Sequence, residues 1–278
     1  RKKRTANPRA LERLETSLEE HSDWSDRFRA KKLKVSNFFV HKWRQRLGYQ
    51  SFKVVKMPNR NDKQNSTAKS RARKLFDNLL TKHNGCILMD DETYVKMDFK
   101  QIPGQCYYAS KIRGNVSDKY KYVMTDKFSK KLMIWQALCS CGKKSPIHVC
   151  LGTMKSSEYV KCCLSRIKRL IKAHRSTSVL FWPDLATIHY SKDAQKFYDD
   201  NGVMLVPKKM NPPNCPELRP IEKYWAIIKK KLKLSGKTVK SATDLKKKWD
   251  YAAKTYKNHS VQKLMGGIKK KVRIFCKT

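Results

Sequence analysis

With 278 residues, 40% of them hydrophobic, the chain can bury a core in one or two domains, and no apolar stretch approaches the ~20 residues that a membrane-spanning helix needs. Its formal net charge of +41, from 64 Lys and Arg against 23 Asp and Glu, repels itself unless a polyanion neutralises it. That points to a phosphate backbone as partner. A membrane surface is the weaker fit, because no long basic amphipathic helix with an aromatic face is present.

No secretory signal is visible, and the chain opens Arg1-Lys-Lys-Arg4 without a methionine, as a fragment would. Nine cysteines are scattered through apolar segments without a disulfide framework, which fits a reducing compartment. Cys139-x-Cys141 and the adjacent Cys162 and Cys163 lack a matching second pair. They therefore read as buried free thiols rather than zinc ligands.

In chain order, residues 9–48 predict three short helices. Leu11, Leu14 and Leu18 recur at helical spacing, and Trp24, Phe28, Leu33 and Val35 form a second apolar set. Ser36 is a good N-cap for a helix from Asn37 to about Leu47, and Gly48 stops it. Phe39, Val40 and Trp43 can face the core, which leaves His41, Lys42, Arg44, Gln45 and Arg46 outside. Residues 50–70 read as a polar linker, and Arg71–Lys82 as a helix leading into a second domain.

From Cys86 the pattern turns to strands. Cys86–Asp91, Leu132–Cys139 and Ile147–Leu151 are three, the last two joined by a turn through Gly142 and Pro146. A helix over Ser157–Ala173 carries Val160, Cys163, Leu164, Ile167, Leu170 and Ile171 on one side. A buried strand Val179–Trp182, a helix near Lys192–Asp200 and a strand Val203–Val206 follow. Hairpin strands followed by alternating strands and helices predict an α/β fold, a mixed five-stranded sheet flanked by helices.

The chemistry sits where apolar runs stop. Cys86-Ile-Leu-Met-Asp-Asp-Glu92 and Val179-Leu-Phe-Trp-Pro-Asp184 each deliver an aspartate to a strand end, since Pro183 cannot donate to a ladder. In Asn211-Pro-Pro-Asn-Cys-Pro-Glu-Leu-Arg-Pro-Ile-Glu-Lys-Tyr-Trp225, Pro220 suits a helix start. Ile221, Trp225, Ile228 and Leu232 then repeat at helical spacing and set Glu222 at the edge of the core. Asp90 and Asp91 point to opposite faces of a strand, so alternation alone does not choose between them. Carboxylates are hard ligands for Mg²⁺, and two divalent ions ~3.5–4 Å apart can stabilise both the attacking and the leaving oxygen of a phosphodiester.

These blocks resemble the catalytic core of the mariner superfamily of cut-and-paste DNA transposases. The resemblance covers roughly residues 10–235 and implies an RNase H-like fold for the α/β domain. It selects Asp91, Asp184 and Glu222 as the acidic triad and metal ligands, with 37 residues between the last two, as in insect branches with the longer spacer. It also marks His189, five residues after Asp184, as a second-shell candidate for orienting phosphate or a metal-bound water; a locally bonded helix-start histidine is the alternative.

Lys-Leu-Lys-Val-Ser-Asn…Trp-Arg-Gln-Arg-Leu-Gly-Tyr resembles the second helix-turn-helix unit of these enzymes, with Lys34 standing where a glycine is common. That implies DNA contacts from Asn37, His41, Lys42, Arg44 and Gln45. An ordinary three-helix bundle is the plain alternative. The implied organisation is a helix-turn-helix region over 1–49, a basic linker and helix over 50–83, and a catalytic domain with C-terminal helices over 84–278. The implied activity is cleavage at transposon ends by Mg²⁺ or Mn²⁺ (two ions), then transfer of the 3′-hydroxyl into target DNA. Terminal inverted repeats and target DNA would be the partners, with a homodimer, a nuclear location and no small-molecule cofactor. Two rivals remain at this level: a decayed or domesticated transposase that only binds DNA, and an RNase H-type ribonuclease.

Overall fold

The computed structural model describes residues 7–50, 58–103, 122, 129–175 and 177–277. The chain divides into two compact units, Arg1–Lys56 and Met57–Thr278. Among the described residues no helix is long and apolar enough to cross a membrane.

The first unit holds α1 (Pro8–Glu20), α2 (Asp26–Leu33) and α3 (Asn37–Arg46). Each starts on a side-chain cap: Asn7, Ser25 and Ser36 accept from backbone N–H groups in the first turn. Lys34 ends α2 in the left-handed region at φ 55, and Gly48 follows α3 at φ 81. Leu14, Leu18, Ala30 and Val40 are the buried centre, with Phe39 and Trp43 packed at its margin. The buried Arg29 guanidinium donates to the carbonyls of Ser17 and His21 at the C-terminal end of α1, which also accept from the backbone N–H groups of His21 and Trp24.

The second unit begins earlier than its composition suggests. Residues 62–70, expected to be linker, lie in α4 (Asp62–Leu75), which continues as a π-helical turn Phe76–Leu80. Asn61 and Gln64 form a reciprocal capping box. Ala68, Ala72 and Leu75 recur on one side and are fully buried. Small residues hide this amphipathic face from a hydrophobicity reading.

The sheet has strands β1 (Cys86–Lys96), β2 (Lys131–Cys139), β3 (His148–Cys150) and β4 (Val179–Phe181) in the order β3-β2-β1-β4. β1 pairs antiparallel with β2 and parallel with β4. The expected fifth strand over Val203–Val206 is reduced to a parallel bridge, Phe181 with Leu205. Its flanking bonds, Phe181 N to Met204 O (2.8 Å) and Val206 N to Phe181 O (2.9 Å), still extend the sheet beyond β4. β1 also runs further than expected. Glu92–Lys96 continue the ladder against β2, so Asp91 lies within the strand, opposite Gln136. The acids interrupt the apolar run without interrupting the strand.

Helix α5 (Ser165–Lys172) extends a turn Ser156–Glu158 and a π-helical stretch Tyr159–Leu164. It packs with α6 (Lys192–Asp200) on one face of the sheet, against Leu88, Trp135, Ala137 and Phe181. Helices α7 (Ile221–Ser235), α8 (Ala242–Lys254), α9 (Asn258–Met265) and α10 (Ile268–Lys277) join α4 on the other, against Ile87, Met89, Ile134 and Leu138. Alternation along β1 thus sends odd-numbered side chains to the α7 face and even-numbered ones to the α5 face.

Candidate active site

That alternation separates the adjacent aspartates. Asp90 is fully buried on the α5 face, where its Oδ2 accepts from Trp135 Nε1 (2.9 Å) and Tyr159 Oη (2.8 Å). Burial pushes its carboxyl pKa up. Asp91 is on the α7 face and lines a cleft of about 320 Å³ together with Asp184 and Glu222. Its Oδ2 accepts from Trp225 Nε1 at 3.0 Å. Burial raises its pKa to about 7; Arg219 opposes this and Glu222 adds to it.

Asp184 is held by the turn that follows β4. Trp182 N continues the sheet to Leu88 O (2.7 Å). Pro183 offers only its carbonyl, which accepts from Asn211 Nδ2 at 2.8 Å. Asn211 is buried, and its Oδ1 also accepts from Trp182 Nε1 (2.8 Å). One amide side chain therefore fixes the residues on either side of the bend that delivers Asp184. The Asp184 carboxylate then caps Ala186 N at 2.8 Å.

His189 is completely buried, with Nδ1 2.6 Å from Asp184 Oδ1 and Nε2 3.5 Å from Glu92 Oε1. These are ion-pair contacts rather than aligned hydrogen bonds, since both ring nitrogens lack a partner of good geometry. Burial works against charge on both partners. The acids around the imidazole nevertheless raise its pKa well above the usual value, and His189 holds Asp184 down at about 2. The structure thus joins His189 to Asp184.

Glu222 lies in the first turn of α7, after Pro220, and its side chain is exposed at the mouth of the cleft. The tightest acidic group is Asp91, Glu92 and Asp184, which can bring one oxygen each within 4.8 Å of one another. Glu92 Oε1 is buried without an aligned donor. Hard carboxylate oxygens with an unsatisfied buried atom among them fit Mg²⁺ or Mn²⁺. Glu92 joins the two aspartates in this set, and Glu222 does not.

Three further residues complete the site. Arg219 lines the cleft and donates to the backbone carbonyls of Asp90 and, at 3.5 Å, Trp182, bridging β1 to the end of β4. Lys229, two turns along α7 from Glu222, donates to Thr93 Oγ1 at 2.6 Å. Arg60 pairs with Glu217 (2.5 Å) and donates to Asn214 O (2.7 Å), which ties down the proline-rich loop before α7. In the sequence Lys229 reads only as part of the run Lys229-Lys230-Lys231, a candidate phosphate-contacting patch or solvated surface. Arg60 lay in presumed linker.

In the first unit Asn37, His41 and Gln45 are exposed along α3, with Phe38 beside them at 73% exposure. Lys42 stacks over Phe38. Arg44 differs from the outward-facing role expected of it. Its Nε pairs with Asp26 at 3.0 Å and its Nη1 donates to Tyr49 O, so it is part of the packing between α2 and α3.

A mixed sheet with helices on both faces thus gathers three carboxylates at one cleft. Residues 109–246 match the family described as DDE superfamily endonuclease, a span that includes Asp184 and Glu222 and begins after Asp91. The match lies within the second unit and covers most of it. The fold is similar to that of the Mos1 transposase paired-end complex with left transposon end, at TM-score 0.65 and 16% identity over 100% of this chain and 81% of that one. A pre-cleavage Mos1 transpososome gives 0.67 at 15% identity, with the same coverage of 100% and 81%. The catalytic domain of Mos1 mariner transposase gives 0.57 at 14% identity, over 80% of this chain and 97% of the other. No curated protein matches the sequence.

Proposed function

We propose that this chain is a mariner-type DDE transposase that cleaves DNA at transposon ends and transfers the freed 3′-hydroxyl into target DNA. The observation that carries the reading is one cleft lined by Asp91, Asp184 and Glu222, set in a fold like that of the Mos1 complexes. Asp91, Asp184 and Glu222 would hold the metal, with Glu92 close enough to share it. Two divalent ions bound there would stabilise the attacking and leaving oxygens of an in-line displacement at phosphorus.

The protein's own groups have separate parts. His189 keeps Asp184 ionised and oriented from the buried side. Asn211 and Arg219 fix the backbone beside the two aspartates, Asn211 after β4 and Arg219 within β1. Lys229 places a cation on the α7 face beside Thr93, near Glu222 and Asp91, where it would meet a phosphate held by the acids. Residues 1–49 would bind the transposon ends through Asn37, His41, Lys42 and Gln45, with Arg44 bracing the helix that presents them. Residues 84–278 would carry catalysis. Paired ends call for a homodimer, and the activity for a nuclear location.

The test is incubation with supercoiled duplex DNA and with an RNA–DNA hybrid in Mg²⁺ or Mn²⁺. Duplex nicking abolished by chelation is expected. Preference for the hybrid would replace the reading with a ribonuclease. Salt-sensitive binding without nicking would leave a DNA-binding relic.

A further inference from the structure

Away from the acidic cleft, three elements bring four metal-ligating side chains together. Cys86 opens β1, Cys139 closes β2, Cys141 lies in the turn to β3, and His174 follows the end of α5. One ligand atom from each lies within 4.8 Å of all the others. His174 Nε2 is 3.1 Å from Cys139 Sγ and 3.2 Å from Cys141 Sγ. In a tetrahedral zinc sphere, with Zn–S ~2.3 Å and Zn–N ~2.0–2.1 Å, the ligand atoms sit roughly 3.3–3.8 Å apart. The cluster is within side-chain adjustment of that geometry.

We propose that Cys86, Cys139, Cys141 and His174 bind one structural Zn²⁺, separate from the divalent ions of the active site.

The second shell favours the same assignment. His174 Nδ1 donates to Leu170 O at 2.7 Å, which fixes the proton on Nδ1 and leaves the Nε2 lone pair facing the thiols. The turn is tightly built: Gly142 N bonds Cys139 O (2.8 Å) and Cys139 N bonds Lys143 O (2.9 Å). Gly142, directly after Cys141, has φ +94, and a Cβ there would meet Asn258 O at 2.3 Å, so the turn requires glycine. Ser140 also bridges the strands, its N bonding Ile87 O and its Oγ accepting from Ile87 N, both at 2.9 Å. Three thiolates on Zn²⁺ leave one negative charge. Lys143 Nζ, on Ala173 O at 2.6 Å, places a cation beside it. Consecutive positions of the four are 2 to 53 residues apart in sequence, which is why a search for paired Cys-x-x-Cys spacings passes over them.

The full chain should be purified without added zinc, dialysed, and its metal measured by mass spectrometry. About one zinc per chain is expected, retained in Asp184→Asn and Cys162→Ser and lost in Cys141→Ser and His174→Ala. Cobalt exchanged into the wild-type protein should give the visible bands and thiolate charge-transfer absorption of a tetrahedral thiolate site. Native thiol titration should show three thiols becoming reactive only when zinc is removed. These two readouts on the wild-type chain decide the question even if the variants do not fold. Folded protein with no zinc and no tetrahedral cobalt spectrum would overturn the proposal. So would zinc retained equally in Cys141→Ser and His174→Ala.

Discussion

A carboxylate at position 91 costs the protein stability in the absence of cation. Its pKa is raised to about 7 from the ordinary 3.8, chiefly by burial. The folded state therefore binds a proton that the unfolded state has already lost between these two values. For that interval stability falls as pH rises, by up to ~4 kcal/mol as an upper bound. Asp91→Asn keeps an acceptor for Trp225 Nε1 and removes the buried charge. We predict that it raises the Tm of metal-free protein at pH 8 by several degrees, with the gain shrinking as pH falls towards 4. Mg²⁺ should raise the wild-type Tm and leave that of the variant unchanged. A variant less stable than wild type at pH 8 would contradict this. Asp184 behaves oppositely: its pKa of about 2 contributes stability above its unfolded value that is lost as pH falls through about 2.

The elements carry the positioning. Asn211 joins the bend after β4 to the loop that leads to α7 through bonds to Pro183 O and Trp182 Nε1. Asn211→Ala leaves a buried donor and an acceptor unpaired, at ~1–3 kcal/mol. It should also lower metal-dependent nicking by roughly 10- to 100-fold, the usual effect of losing an outer-shell contact, readable from melting curves and initial rates. In α3, Gln45→Ala should weaken DNA binding with Tm unchanged. Arg44→Ala should lower Tm by removing the pair with Asp26. Equal thermal effects would refute the division of roles along that helix.

Local signals were readable in the sequence: the Ser36 cap, the Gly48 stop, the apolar stripe of α7, and strand-terminating Pro183. Three features were not. α4 hides its buried side in Ala68 and Ala72, although Asn61 and Gln64 announce its start. β1 continues through charged residues because Val95 is buried and Thr93 bonds Lys229. Glu92, Arg219 and Asn211 acquire roles only through contacts over tens of residues, which no periodicity encodes.

For the whole molecule, charge decides how DNA is held. A net charge of +41 implies many phosphate contacts, so log affinity should fall steeply and linearly with log salt. Fluorescence anisotropy on duplex DNA between low and physiological salt checks this, and a flat dependence would contradict it. The reaction itself gives the most direct test. Wild type, Asp184→Asn and Glu222→Gln should be compared for nicking of supercoiled DNA in Mg²⁺ or Mn²⁺, with binding measured alongside. The account predicts equal binding and a loss of nicking of at least ~100-fold in both variants. Nicking that survives in either variant, with DNA bound as before, would contradict it.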